Sequence, residues 1–255
     1  MIFKTHYATY LSQKLPEGKS GEFSITKMVI PKGTVARTYS QVGMFHRDEF
    51  STDFPVVVLT EEGNGVWMSD SPMEQESLRL TVTAARGNVL IVGLGIGLLT
   101  TLIKPNNKMV HTITIIEKEQ DVADLVYKHI KTNRTSLIMG DAKEYLSTTD
   151  DRYDFIYIDI WQGIMGPIVE GEQWVALASR CLKEKGEVRW WLQELHERVK
   201  SKLPKEPIGK AFLVVGDPCL ICGKMYRWDY AGLCMDCADM LEVSEMYVKR
   251  GDDRV

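Results

Sequence analysis

Long apolar runs are missing from this sequence. The longest, from Val89 to Leu99, has 11 residues and is interrupted by glycines, so it is too short to span a bilayer. The first residues lack the basic-then-apolar pattern of a secretory signal. We therefore expect no membrane association and a cytoplasmic location.

A strong excess of one charge is also absent. The net charge of −4 over 255 residues argues against attraction of the whole protein to nucleic acid, although a local basic patch stays open. With 44% hydrophobic and 26% charged residues, the composition is typical of a globular protein. The length suits one large domain with a small appendage.

Cysteine is scarce and unevenly placed. Four of the five cysteines fall within one short segment, which disfavours a disulfide framework and favours a metal site. Two Cys-x-x-Cys pairs, Cys219 with Cys222 and Cys234 with Cys237, supply four thiolates for tetrahedral Zn²⁺. A redox pair is the alternative. Four thiolates leave no open position for catalysis, so we expect a structural, zinc-ribbon-like module at 216–255.

Strand and helix patterns alternate between residues 69 and 215. Aliphatic and β-branched runs predict strands, and the segments between them have helical apolar spacing. Predicted strands lie at 89–92, 110–116, 136–139, 153–158, 186–192 and 211–215, and predicted helices at 73–85, 98–104, 121–131, 142–146, 172–185 and 195–202. Alternation with short connections favours an α/β fold with a doubly wound, mostly parallel sheet.

Cys181 is expected to be a buried structural thiol.

Residues 1–68 carry a different pattern. A strand is predicted at 23–30, and two apolar runs at 56–60 and 66–68 flank a Gly/Asn turn, which is typical of a hairpin. We expect a β-rich N-terminal extension at 1–68, an α/β domain at 69–215 and the cysteine module after it.

Polar groups and glycines follow four successive predicted strands. They are the glycines Gly93, Gly95 and Gly97 and the acids Glu117, Asp141 and Asp159. Ligands bind beyond the carboxyl ends of parallel strands, and a glycine turn lets backbone N–H groups approach them. An ordinary loop with helix-capping acids is the alternative. Four such ends on one side of the sheet favour a nucleotide-type site.

A dinucleotide site is the first candidate, because Glu117 lies where a ribose-binding acid is expected. That motif requires G-x-G-x-x-G, whereas here the third glycine comes one residue early and Leu98 takes the expected position. A nucleoside with a short zwitterionic arm fits this turn better.

The same residues resemble the class I S-adenosylmethionine-dependent methyltransferases over about residues 66–195. The resemblance is carried by Val89–Gly97, Glu117, Gly140-Asp141-Ala142 and Tyr153–Asp159. It implies that the three glycines pass close to the methionine part of S-adenosylmethionine and that Glu117 accepts hydrogen bonds from the ribose hydroxyls. It also implies that Asp141 accepts one from the adenine amino group and that Ala142 offers its N–H to the ring. Carboxylates suit these positions because the ligand groups are donors.

Two subgroups are most similar. The segment Val66–Met73 resembles guanidinoacetate methyltransferases, in which an acid before the proline holds the substrate guanidinium, and Asp70 has that position. Asp159 matches the Asp that ends the corresponding strand in that family and in the spermidine synthases. The β-rich N-terminal extension is also similar to that of spermidine synthases. Ile160–Gly163 replaces the Asp-Ser-Ser-Asp-Pro of spermidine synthases and lacks its second acid.

The resemblance implies methyl transfer to a small-molecule or peptide nucleophile, with Asp159 and Asp70 orienting the acceptor and helping to remove its proton. Trp161 either holds a cationic acceptor or only packs. Aminopropyl transfer is the second enzyme hypothesis, and a cofactor-binding adaptor that recruits a partner through the zinc module is the third. The absence of Asn-Pro-Pro-Tyr argues against DNA bases as acceptors. The acceptor and the oligomeric state stay open.

Overall fold

The computed structural model of this protein describes residues 2–3, 11–40, 44–103, 108–163 and 165–202. The strands in those ranges are β1 (Ile2–Phe3), β2 (Gly18–Ser20), β3 (Phe23–Ile30), β4 (Val35–Ser40), β5 (Met44–Phe50), β6 (Phe54–Glu61), β7 (Gly65–Ser69), β8 (Gly87–Val92), β9 (Val110–Glu117), β10 (Thr135–Met139), β11 (Tyr153–Ile158) and β12 (Leu182–Trp190). The α-helices are α1 (Leu11–Lys14), α2 (Pro72–Ala84), α3 (Leu98–Leu102), α4 (Gln120–Ile130), α5 (Ala142–Thr148), α6 (Met165–Ala178) and α7 (Gln193–Lys202).

Five parallel strands form the central sheet, in the order β10-β9-β8-β11-β12. The chain moves outwards from β8 through β9 to β10, and then returns to place β11 on the other side of β8. This reversal is the topological switch point of a Rossmann-like sheet, where a crevice opens beyond the carboxyl ends of the strands. The predicted doubly wound parallel sheet is confirmed.

Both faces of the sheet are covered, which explains its continuous apolar strands. In β8, Val89 and Ile91 belong to one buried cluster, while Leu90 and Val92 belong to another. Alternate residues of a strand point to opposite faces, so β8 contributes to two cores. The amphipathic helix α4 packs into the first cluster through buried residues at helical spacing, including Val122 and Val126.

A four-stranded antiparallel sheet, β2-β3-β6-β7, precedes the parallel one. The β6–β7 pair is the predicted hairpin, and the strand predicted at 23–30 is confirmed as β3. Phe23 of β3 and Leu59 of β6 belong to the same buried cluster as Ile91 of the parallel sheet. The two sheets therefore share one apolar core, and the domain boundary placed after residue 68 stays a prediction.

A small sheet formed by β1, β5 and β4 was not predicted. Its strand β5 contains the polar run His46-Arg47-Asp48-Glu49, so its composition gives no strand signal. The antiparallel register with β4, from Val35 opposite Glu49 to Ser40 opposite Met44, defines it. Strand formation here follows pairing rather than residue preference.

The helix predicted at 172–185 is wrong at its C-terminal end. Helix α6 ends at Ala178, a 3-10 turn covers Ser179–Cys181, and β12 begins at Leu182. Leu182 pairs with Tyr153 of β11, and Lys185 has a left-handed φ of 63°, which a helix does not allow. Pairing with β11 overrides the helix preference of this segment. The strand predicted at 211–215 lies outside the described residues.

Candidate functional site

A cavity of about 380 Å³ opens beyond the carboxyl ends of β8 and β11. It lies at the switch point of the sheet, which is where ligands bind in this architecture. Its volume is in the range of small-molecule and cofactor sites. Its walls include Gly93, Gly95, Glu117, Asp141, Ala142 and Asp159. The structure thus brings most of the sequence-predicted residues to one cavity.

The glycine turn after β8 is tightly enclosed by other parts of the protein. Gly93 has a φ of 96°, and a Cβ atom there would lie 2.0 Å from the carbonyl oxygen of Asp159. Gly95 has a φ of 51°, and its Cβ would lie 2.4 Å from the sulfur of Met68. Both positions therefore favour glycine through their backbone conformation, and at Gly93 the backbone of Asp159 also leaves no space for a Cβ atom. The third glycine, Gly97, is buried, is the N-cap of α3 and does not line the cavity.

Glu117 ends β9 and binds the backbone around it. Its Oε2 accepts a hydrogen bond from the N–H of Leu94 at 2.9 Å, and its Oε1 accepts from Lys118 and Glu119 at 2.8 Å each. Burial raises the pKa of the Glu117 carboxyl, although these donors act in the opposite direction. A carboxylate has about four acceptor positions. One of them is left for a donor in the cavity.

Asp141 is the N-cap of helix α5. Its Oδ1 accepts hydrogen bonds from the N–H groups of Lys143 at 2.8 Å and Glu144 at 3.1 Å. Capping thus uses one oxygen and leaves Oδ2 as an acceptor. Ala142 is the first residue of the helix, so its N–H has no partner within the helix. An acceptor and a donor therefore lie side by side on this wall of the cavity.

Asp159 follows β11 and lies on the cavity wall. Its N–H donates to the carbonyl of Val92 at 2.8 Å, which fixes the strand end beside the glycine turn. In the part of the chain described, its carboxylate has no hydrogen bond to another residue. Burial raises the pKa of this carboxyl well above its usual value, and the nearby Glu74 raises it further.

Glu74 is a cavity residue that the sequence analysis missed. It lies in the first turn of α2, is 9% exposed, and accepts a hydrogen bond from Nε1 of Trp191 at 3.1 Å. Burial raises the pKa of its carboxyl to about 7. A sequence signal was present, because Glu74 lies four residues before the apolar Leu78, and this spacing puts both side chains on the same face of the predicted helix.

Asp70 is placed differently from Glu74. It is 1% exposed, and its Oδ1 accepts a hydrogen bond from the N–H of Val57 at 2.7 Å. Its carbonyl accepts another from the side chain of Gln75. These contacts connect β6 to the start of α2, and Asp70 is not among the residues that line the cavity. The structure therefore gives no geometric support to its predicted role at the acceptor.

Four tryptophans line the cavity: Trp67, Trp161, Trp174 and Trp191. Trp161 packs edge-on against Trp174, with ring centroids 6.4 Å apart, and donates to Glu170 at 3.1 Å. Trp161 thus packs against Trp174 and also lines the cavity. Gln162 donates to the carbonyl of Asn64 at 2.7 Å, which connects the segment after β11 to the β6–β7 turn. The N-terminal hairpin therefore closes one side of the cavity.

The predicted zinc ligands Cys219, Cys222, Cys234 and Cys237 lie outside the described residues. Among the described residues, no three His, Cys, Asp or Glu side chains are grouped in a way that could hold a metal ion. Cys181 is 1% exposed and donates to the carbonyl of Leu146, which confirms the buried thiol. No helix in the described ranges is long and apolar enough to cross a membrane.

Neither a protein-family model nor a curated protein matches this chain by sequence. Solved structures with a similar fold include the methyltransferase PaMTH1 of Podospora anserina, bound to S-adenosylhomocysteine. It has 16% identity over 47% of this chain and 52% of that one, with a TM-score of 0.37. The match thus spans about half of PaMTH1.

Two further structures are similar at the same level. The N-methyltransferase NodS of Bradyrhizobium japonicum WM9 has 17% identity over 46% of this chain and 64% of that one, with a TM-score of 0.36. The O-methyltransferase TomG of Streptomyces achromogenes, in complex with S-adenosylmethionine, has 14% identity over 57% of this chain and 74% of that one, with a TM-score of 0.36. At these scores, the chemistry of this chain has to be inferred from its own residues.

Proposed function

We propose that this protein is an S-adenosylmethionine-dependent methyltransferase acting on a small-molecule or peptide nucleophile. The observation that carries the proposal is the cavity at the switch point, bordered by a glycine turn and by acceptors at the ends of β9 and β10. Ribose hydroxyls and an adenine amino group are donors, and they match such acceptors.

In this proposal each wall residue binds a different part of the cofactor. Glu117 uses its remaining acceptor position for a ribose hydroxyl. Asp141 accepts from the adenine amino group through Oδ2, and the N–H of Ala142 donates to the ring. The backbone of Gly93 and Gly95 runs along the methionine arm.

The bound cofactor supplies an electrophilic methyl group on a sulfonium. Methyl transfer is an in-line displacement, so the protein contributes mainly by positioning the two reactants and excluding water. The apolar and aromatic lining suits this task. Asp159 lies at the end of β11, beyond the glycine turn, where it can orient the acceptor.

Calorimetric titration with S-adenosylhomocysteine tests the proposal. The wild-type protein is expected to bind it, and Asp141→Asn is expected to weaken binding about tenfold. Asn still caps a helix, but the atom facing the adenine amino group changes from an acceptor to a donor. The control is Glu144→Gln, an exposed acid on the same helix that does not line the cavity.

Each outcome of this titration is informative. If the wild-type protein does not bind S-adenosylhomocysteine, both transferase hypotheses fail and the adaptor hypothesis is favoured. Equal affinity of the wild type and Asp141→Asn would remove the adenine assignment. A preference for decarboxylated S-adenosylmethionine would indicate aminopropyl transfer instead.

We also propose a structural zinc ion in the four-cysteine segment. The support is the spacing of Cys219, Cys222, Cys234 and Cys237 in the sequence. Elemental analysis is expected to find about one zinc per chain. Zinc-free protein with all four thiols open to titration would contradict it.

A further inference from the structure

The β11 side of the cavity holds two carboxylates and few groups that bind them. In the described part of the chain, Asp159 accepts no side-chain or backbone hydrogen bond, and Glu74 accepts one, from the indole of Trp191. Neither acid forms an ion pair with a described Lys, Arg or His. The two carboxyls are close enough to affect each other electrostatically.

Buried carboxylates normally pair with a cation or with several donors, because removing an unpaired charge from water is costly. Glu74 is 9% exposed and still has one carboxylate oxygen without a partner among the described residues. Lys118 and Lys143 also line the cavity, but both are exposed. Within the described ranges, no Lys, Arg or His is paired with either carboxylate, so a cationic ligand would supply the countercharge that these residues do not.

The surrounding walls suit such a ligand. Trp191 contacts Glu74 directly, and Trp161 and Trp174 line the same cavity. Indole faces attract cations, most strongly where water is excluded. Lys143 already lies 5.4 Å from the ring centroid of Trp174. Acids and indoles together distinguish a cationic ligand from a neutral or anionic one.

We propose that the methyl acceptor is a cationic amine, bound by Asp159 and Glu74 between the tryptophans, and that Glu74 accepts its proton. This inference rests on the proposed methyltransferase function. It replaces Asp70 by Glu74 as the second acid of the acceptor site. A cationic amine stabilises the ionised form of these two acids, whereas an anionic acceptor is repelled by that form and a neutral alcohol supplies no countercharge for it.

The chemical step balances without any further reactant. An ammonium group gives one proton to the Glu74 carboxylate, which frees the nitrogen lone pair. That lone pair forms the new N–C bond to the methyl group while the C–S bond breaks and its electron pair stays on sulfur. The products are a methylated ammonium ion, S-adenosylhomocysteine and one proton, which Glu74 releases to solvent.

The test uses three ligands of the same size and different charge. The full-length protein, saturated with S-adenosylhomocysteine, is titrated with n-butylamine, n-butanol and butyrate, with calorimetry and tryptophan fluorescence as readouts. Binding of butylamine alone is expected. Glu74→Gln and Asp159→Asn are each expected to weaken it about 10- to 100-fold, while their affinity for S-adenosylhomocysteine stays within twofold of the wild type.

A matched control is Glu76→Gln, the same change two residues along α2 at a side chain that does not line the cavity. Gln at position 74 can still accept from the indole of Trp191, so folding is preserved. Failure of the wild type to bind S-adenosylhomocysteine overturns the proposed function. Binding of that ligand without butylamine binding, or butyrate binding as tightly as butylamine, overturns the amine inference alone. Unchanged butylamine affinity in Glu74→Gln removes Glu74 from the site.

Discussion

The acids on the two sides of the cavity differ in how many hydrogen bonds they accept from the protein. On the β9–β10 side, Glu117 accepts three backbone N–H groups and Asp141 accepts two. On the β11–β12 side, Asp159 accepts none from the described residues and Glu74 accepts a single indole N–H. All four line the same cavity.

This difference separates acids that hold the backbone in place from acids whose carboxyl groups are left to bind a ligand. A carboxylate with several N–H donors fixes the backbone, and its remaining oxygen is held in place for a neutral donor. A carboxylate with few donors is destabilising until a proton or a cationic ligand compensates its charge. The first arrangement suits a nucleoside, and the second suits a cation.

The largest expected effect on stability is at Gly93, where the glycine turn after β8 meets the end of β11. Gly93→Ala would place a Cβ atom 2.0 Å from the carbonyl oxygen of Asp159 at a left-handed φ, so it should destabilise the fold by about 3 kcal/mol or more. Gly63→Ala is the control, because Gly63 has a φ of 83° and no atom near its Cβ position, and should cost about 1 kcal/mol. Urea unfolding measures both, and equal costs would show that the two sides do not meet tightly at Gly93.

Glu74 should make the stability of the free protein depend on pH. Its pKa rises from 4.5 to about 7 on folding, so the folded state keeps a proton that the unfolded state releases. The contribution of Glu74 to stability is therefore most favourable below pH 4.5, and it falls by roughly 3 kcal/mol as the pH rises through 7. Asp159, whose pKa is also raised, adds in the same direction.

Glu74→Gln removes this titration and tests it. Relative to the wild type, the variant should gain roughly 3 kcal/mol of stability between pH 4.5 and pH 8, measured by urea unfolding across that range. Parallel pH profiles of the two proteins would show that Glu74 is not a buried, weakly compensated acid.

Neutralising one acid on each side should change stability in opposite directions. Glu117→Gln replaces one acceptor oxygen by an NH2 group, which leaves at least one of its three N–H donors without an acceptor, and it should cost about 2 kcal/mol at pH 8. Asp159→Asn removes a desolvated charge and should stabilise the free protein by about 1 kcal/mol. Unfolding free energies of the two variants give the signs directly. Two changes of the same sign would remove the contrast between the sides.

The smallest effect concerns the cap of α5. Asp141→Ala should cost about 1 kcal/mol, because it strands the N–H groups of Lys143 and Glu144, whereas Asp141→Asn should cost only a few tenths. Thermal unfolding of both variants measures the difference. A cost of Asn equal to that of Ala would show that the charge, and not the cap, stabilises this end of the helix.

Several features of the site follow from sequence because they are local. A buried strand has a recognisable composition, and parallel strands place their carboxyl ends on one edge. Gly93, Glu117, Asp141 and Asp159 were therefore expected together, and they do line one cavity. Their roles toward a ligand stay predictions.

Other features could not be inferred in this way. Glu74 and Trp191 are 117 residues apart and meet only because α2 packs beside the end of β12. Asp70 had the expected motif position, yet the pairing of β6 with the start of α2 gives it a structural contact. Position in a motif does not determine which way a buried side chain points.

By itself, the sequence determined the alternation of strands and helices, the glycine turn and the acids that end the strands, because these depend on neighbours within a few residues. The tertiary structure decided which acids accept several backbone N–H groups and which have few partners among the described residues. It also decided that an N-terminal hairpin and four tryptophans close the cavity. Those properties depend on packing between distant segments, where burial and hydrogen-bond supply are set by the whole fold.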